Sequence, residues 1–196
     1  MSNTASDSTE SANVVTPRLV LLTDPMCSWC WGLWPEWLEL QDKLQDRVTF
    51  DLLLCGIQVG RPFVSPSDDE RFRIGEIWAE VAKVTGQRLR HRLPEDPAFF
   101  YHSEIACRAI VAVGNITGQV PFAFLEQLHQ AFYIEGINLT SPDALALQAE
   151  MHGVDRTQFL DQLRSDEVKA KTRWHMAEAH EHTGGLMPAV LGARGN

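Results

Sequence analysis

A chain of 196 residues that is 44% hydrophobic and 22% charged has the composition of a globular protein able to bury a full core without staples. Its formal net charge of −9 argues against a nucleic acid or an anionic lipid surface as partner, because both call for clustered Lys and Arg. No apolar run approaches the roughly 18–20 residues of a membrane span, and four cysteines in a chain of this length are not a disulfide framework.

The first residues, Met1 to Thr16, are rich in Ser, Thr, Asn and Asp and lack the basic and apolar regions of a signal peptide. They read as a disordered tail, and a reducing cytoplasm is the expected location. Arg18 to Thr23 (RLVLLT) is an apolar run of the buried-strand kind, ended by Asp24-Pro25. Cys27 to about Gln45 reads as a helix with apolar residues at Leu33, Trp34, Trp37, Leu38, Leu40 and Leu44. Val48 to Cys55 is a second strand. Strand, helix, strand in this order form a βαβ unit, which implies parallel pairing and a right-handed crossover.

A loop from Gly56 to about Ser67 follows, and beyond it helical patterns dominate. Asp68 to Gly86 is one helix, broken by Gly75. Ser103 to Thr117 is another, with Ser103 as N-cap and Gly118 just past its end. Pro121 to Tyr133 has its proline suited to the first helical position. Ser141-Pro142 opens a helix that Gly153 closes, and Asp155 to Gln158 resembles a capping box for the next. A last helix runs from about Asp166 to His182 and ends at Gly184-Gly185. Pro188 sits where only the start or edge of a strand tolerates it, so Leu186 to Leu191 reads as a third strand. The organisation is a tail at 1–16, the βαβ part at 17–67, an inserted helical domain at 68–183 and the returning strand at 184–196.

The chemistry-bearing segment is Cys27-Ser28-Trp29-Cys30. A cysteine at a helix start faces unpaired backbone N–H groups and the positive end of the helix dipole, which favour thiolate over thiol. A second cysteine one turn on lies close enough to close a small disulfide ring, so that Cys27 attacks and the more buried Cys30 resolves. A zinc site needs a second ligand pair. His175, His180 and His182 come nearest and read instead as a polar helix end, so no metal is expected. Cys55 and Cys107 stand in apolar surroundings and read as buried small hydrophobes. Two prolines add to the redox reading: Pro35 inside a helical run, where it should kink the helix, and Pro188, whose bond to Met187 could be cis at little cost. Trp34, Trp37 and Leu38 share a face and read as core. Trp29, between the cysteines, reads as exposed surface for a protein or peptide substrate.

Asp24 to Gly32 (DPMCSWCWG) resembles the active-site segment of DsbA-like proteins, in particular their FrnE-like cytosolic branch. Pro35 falls where thioredoxin-fold enzymes carry a helix-kinking proline, and Met187-Pro188 falls where the family carries its cis-proline. Ser103 to Ala109 (SEIACRA) resembles a recurrent helix of the branch. The resemblance implies an α/β class, thioredoxin-like fold with a large all-helical insertion between the second strand and the cis-proline strand. It implies Cys27 as nucleophile, Cys30 as resolving thiol, and Pro188 shaping the substrate groove and denying metal access to the cysteines. Met187 would offer its backbone to an extended substrate, with Ser28, Trp29 and Trp31 beside it. The family fold adds a further strand and helix after the cis-proline strand, for which the residues past Leu191 are too few. The edge this leaves predicts a homodimer that covers it.

The function so implied is a thiol-disulfide oxidoreductase of reductase or isomerase type, acting on protein or peptide thiols and disulfides. It would need no cofactor beyond its own redox-active pair, with an external thiol donor such as glutathione or thioredoxin. Two alternatives stand beside it. One is a kappa-type glutathione transferase-like enzyme; such enzymes use a single hydroxyl or thiol, so Cys30 speaks against it. The other is a non-catalytic thiol- or metal-binding or chaperone-like module.

Overall fold

The computed structural model describes residues 16–90 and 92–193, so nearly all of the expected tail lies outside the described residues. Three strands form one sheet in the order β2-β1-β3. The chain runs through β1 (Arg18–Thr23), the short α1 (Ser28–Gly32), α2 (Trp34–Leu44) and β2 (Thr49–Leu54). Six helices follow: α3 (Asp68–Thr85), α4 (Glu104–Thr117), α5 (Phe122–Gln130), α6 (Pro142–Met151), α7 (Arg156–Arg164) and α8 (Asp166–Thr183). The chain then returns as β3 (Ala189–Ala193). This is a mixed α/β, thioredoxin-like architecture with a helical insertion.

β1 is central because it is apolar on both faces: Leu21 and Leu22 are both buried. It pairs in parallel with β2, Leu21 opposite Leu52, and antiparallel with β3, Leu21 opposite Val190. The alternation of side chains assigns each face a partner. Leu21, Leu52 and Leu54 enter the main core with Trp34, Trp37, Ile110, Phe124 and Phe132, so sheet and inserted helices share one apolar interior. Phe50 meets Trp37 edge-on with ring centroids 5.6 Å apart. On the opposite face, Val20, Leu22 and Leu53 pack with Ala179 of α8.

Several local expectations change for physical reasons. The helix expected from Cys27 to Gln45 is two helices, divided at Leu33, and Pro35 lies in the first turn of α2. There its missing N–H costs no hydrogen bond, so the helix-interior penalty does not arise. Gly75 does not break α3, which runs unbroken from a Ser67–Glu70 capping box to Gly86 in the left-handed region. Pro121 is the N-cap of α5 rather than its first residue, and the helix passes into a π-helical turn over Ala131–Glu135. Leu38 is 41% exposed and does not join Trp34 and Trp37 in the core. Gly32 is where α1 meets α3: a Cβ there would stand 2.9 Å from the Thr85 side chain and 3.0 Å from that of Val81.

Candidate active site

Both cysteines of the C-x-x-C segment are free thiols held where β1 gives way to α1. Cys27 is the N-cap of α1 in extended conformation, and its Sγ accepts the backbone N–H of Cys30 at 3.3 Å. The Cys27 N–H in turn donates to the Asp24 carbonyl at 3.1 Å. Cys27 is 8% exposed and Cys30 3%, so the first is the more accessible of two enclosed sulfurs. Burial pushes the Cys30 thiol well above its ordinary range, and the Cys27 sulfur beside it adds to that rise. The buried Thr23 hydroxyl, without a hydrogen-bond partner among the described residues, acts in the opposite sense on Cys30.

The Met187–Pro188 bond is cis. The β1–β3 register pairs Leu22 with Ala189, so Pro188 lies level with Thr23, beside the strand end from which the dithiol segment departs. Sequence positions about 160 residues apart are thus joined by a simple strand pairing.

Beneath the dithiol lies a buried carboxylate that sequence reasoning treated only as a strand terminator. Asp24 Oδ1 accepts the Met26 N–H at 2.8 Å. Its Oδ2 accepts the Gly56 N–H at 3.0 Å, the Ser103 hydroxyl at 2.5 Å and the Cys107 thiol at 3.4 Å. Burial raises the Asp24 carboxyl above the usual carboxylate range, and these donors pull it back down. Gly56 has φ +81°, a conformation that aims its N–H at the carboxylate with no Cβ penalty. The His129 ring is hydrogen-bonded through Nε2 to the Asp24 carbonyl at 3.2 Å. One residue therefore ties together β1, the end of β2, the start of α4 and α5.

This arrangement also explains Ser103. Expected as the N-cap of α4, it makes no capping bond; its hydroxyl donates to Asp24 and accepts the Ile57 N–H at 2.7 Å. Cys107 is buried as expected, yet it serves as a donor to Asp24 as well as filler, and burial pushes its thiol up. Cys55 is only half-buried; burial, followed by the neighbouring charges of Asp24 and Cys27, pushes its thiol to about 12.

The remaining expected site residues divide. Trp29 is 37% exposed and lies between the sulfurs in sequence; Met187 and Pro188 are half-buried and Ser28 is buried. Trp31 is turned inward, contrary to a substrate-contact role. Its Nε1 donates to the Arg88 carbonyl at 2.9 Å, and its ring is stacked with Tyr133 at 6.5 Å. Tyr101, not singled out from sequence, donates its hydroxyl to the Met26 carbonyl at 2.9 Å, directly before Cys27. An acidic residue closing an apolar strand just ahead of a C-x-x-C was the signal available for Asp24. Tyr101 had none, its partner lying 75 positions away.

His175 and His182 line a cavity of about 720 Å³ with Lys171 and Trp174, beside Arg18 and Val20 near the start of β1, whereas the dithiol follows its end. Among the described residues no group of three or more His, Cys, Asp or Glu is placed to hold a metal ion. No described helix is long and apolar enough to cross a membrane.

A family model described as thioredoxin matches residues 21–188. No curated protein matches the sequence. Among solved structures, the chain superposes with a TM-score of 0.82 on a protein of Nitrosomonas europaea provisionally named a protein disulfide isomerase, at 26% identity over 92% of this chain and 86% of that one. The cytosolic disulfide reductase DsbM of Pseudomonas aeruginosa, also solved with GSH, matches with TM-score 0.70, 20% identity and coverage of 88% and 83%. A 2-hydroxychromene-2-carboxylate isomerase shares the fold at TM-score 0.62 and 16% identity, over 89% of this chain and 84% of that one.

Proposed function

The chain belongs to the thioredoxin family, and from that premise we propose that it is a disulfide reductase or isomerase whose Cys27 attacks a protein or peptide disulfide and whose Cys30 resolves the mixed disulfide. The observation that carries this is the Cys27 sulfur at the N-cap of α1, bonded to the Cys30 N–H, with cis-Pro188 level with the end of the adjoining strand. Cys27 thiolate displaces one sulfur of the substrate and forms the mixed disulfide. Cys30, losing its proton, then attacks Cys27 Sγ and releases the substrate as a thiol, leaving the Cys27–Cys30 disulfide. The half-buried Met187 offers its backbone to an extended chain, and the exposed Trp29 supplies apolar contact.

An external thiol closes the cycle, in keeping with a cytoplasmic setting and with a fold relative solved in the presence of GSH. The outer edge of β3 carries no strand among the described residues, and Val190 on it is 42% exposed; a second copy of this chain is the partner we assign to that edge. Turnover on a disulfide-bonded reporter protein, with excess thiol as donor, tests the reading. We expect catalysed reduction or reshuffling that Cys27→Ala removes, by on the order of a thousandfold for loss of a nucleophile. Equal rates with and without the protein would overturn it.

A further inference from the structure

The loop between β2 and α3 holds features that the proposed dithiol chemistry leaves unused. A cavity of about 390 Å³ opens there, lined among others by Gln58, Arg61, Pro62, Glu70, Arg73 and Tyr101. Its size falls within the roughly 300–1,000 Å³ of small-ligand sites. Tyr101 connects it to the dithiol, since its hydroxyl bonds the carbonyl of Met26, the residue before Cys27.

The charges on its wall are two guanidiniums, Arg61 and Arg73, against the single carboxylate of Glu70, on which Arg73 acts as a minor stabilising charge. Neither Arg61 nor Arg73 has a carboxylate within 4.0 Å or a side-chain hydrogen bond among the described residues, unlike Arg71 nearby, which binds the Pro94 carbonyl. Glu70 is held chiefly by Ser67, whose N–H and hydroxyl its carboxylate accepts in the cap of α3. Gln58 has φ +55°, the one positive-φ residue other than glycine among the described residues, and its carbonyl accepts the Arg61 N–H. Strain of this kind collects at functional sites. A chain of net charge −9 repels small anions in general. Two guanidiniums against one carboxylate at this cavity reverse that locally, and a guanidinium binds a carboxylate through two parallel hydrogen bonds.

We propose that the Arg61–Arg73 cavity binds a small thiol bearing carboxylates, of the glutathione kind, and positions it to reduce the oxidised dithiol. This rests on the redox role proposed above for Cys27 and Cys30. The first thiolate attacks Cys27 Sγ, forming a mixed disulfide and releasing Cys30 as thiolate. A second attacks the sulfur of the bound thiol, releasing Cys27 thiolate and the symmetric disulfide. Two small thiols are oxidised by two electrons in all, and the two protons they lose pass to solvent and the freed cysteines.

The test follows reduction of the oxidised full chain by glutathione and, separately, by uncharged 2-mercaptoethanol, in wild type and in the Arg61→Gln, Arg73→Gln and double variants. Both arginines are exposed, and the fold of each variant is checked by its circular dichroism and melting temperature. We expect the glutathione rate of the double variant to fall about tenfold, the scale of a charged hydrogen bond, with the 2-mercaptoethanol rate unchanged. Added salt should narrow that gap. An unchanged glutathione rate, or an equal fall with both thiols, overturns the binding site while leaving the dithiol role intact. Failure of both thiols to reduce the wild-type pair overturns the two together.

Discussion

The chain holds two pairs of cysteines in one corner of the fold, and their surroundings differ. Cys27 and Cys30 sit one turn apart at a helix start, with a backbone N–H aimed at the first sulfur. Cys55 and Cys107 stand behind them around Asp24, on the end of β2 and the first turn of α4, where burial holds both thiols up. Burial holds Cys30 up as well, and Cys55 is more exposed than either front cysteine, so what separates the pairs is backbone geometry: Cys27 caps a helix with a second cysteine one turn on. The front pair stands at the helix start, and Cys107 belongs to the hydrogen-bonded scaffold behind it.

Breaking that scaffold should have the largest effect on stability. Asp24→Ala removes the acceptor of the Ser103 hydroxyl and of the Met26 and Gly56 N–H groups at once. Buried donors left unmade cost about 1–3 kcal/mol each, so a loss of about 4 kcal/mol is expected in urea unfolding, with the m-value unchanged. Cys107→Ala should cost much less, because it removes a weak donor and leaves the others in place.

Acid should act through the same corner. Burial pushes His129 down to about 4 from its ordinary 6.5, so the folded chain keeps it neutral while the unfolded chain takes up a proton. Unfolding then binds protons between these values, and stability contributed by the neutral ring is lost as pH falls from about 6.5 towards 4. The full loss is on the order of 3 kcal/mol. His129→Phe, placed among Trp31, Trp34 and Tyr133, should flatten the fall of melting temperature over that window. An identical pH profile in the variant would assign the acid sensitivity to other groups.

The smallest effect separates presentation from scaffold. Trp29 is 37% exposed, so Trp29→Ala should leave stability within about 0.5 kcal/mol. It should raise KM for a protein disulfide about threefold, with no change towards a small disulfide, the size of a modest contact at an exposed edge.

Much of the architecture was legible because its determinants are local. β1 lies where the apolar run Arg18–Thr23 predicts it, and Gly86, Gly118 and Gly184 end helices in the left-handed conformation that glycine tolerates. Ser141 and Asp155 cap the helices assigned to them. What escaped depends on partners far along the chain. Ser103 carries the signature of an N-cap, but a carboxylate 79 positions away takes its hydroxyl. Trp31 looks like its neighbour Trp29, yet the Arg88 carbonyl and the Tyr133 ring hold it inside. The dithiol and the cis-proline were legible as motifs; the Asp24 hub and the Arg61–Arg73 cavity arise only once β1, β2 and the inserted helices are brought together.

The central claim is that Cys27 presents its sulfur and Cys30 follows. Full-length Cys30→Ser, mixed with a disulfide-bonded protein, tests it most directly. A covalent complex through Cys27 should accumulate, dissolve in dithiothreitol and be absent from Cys27→Ser. No complex with Cys30→Ser, or an equal amount with Cys27→Ser, would contradict it.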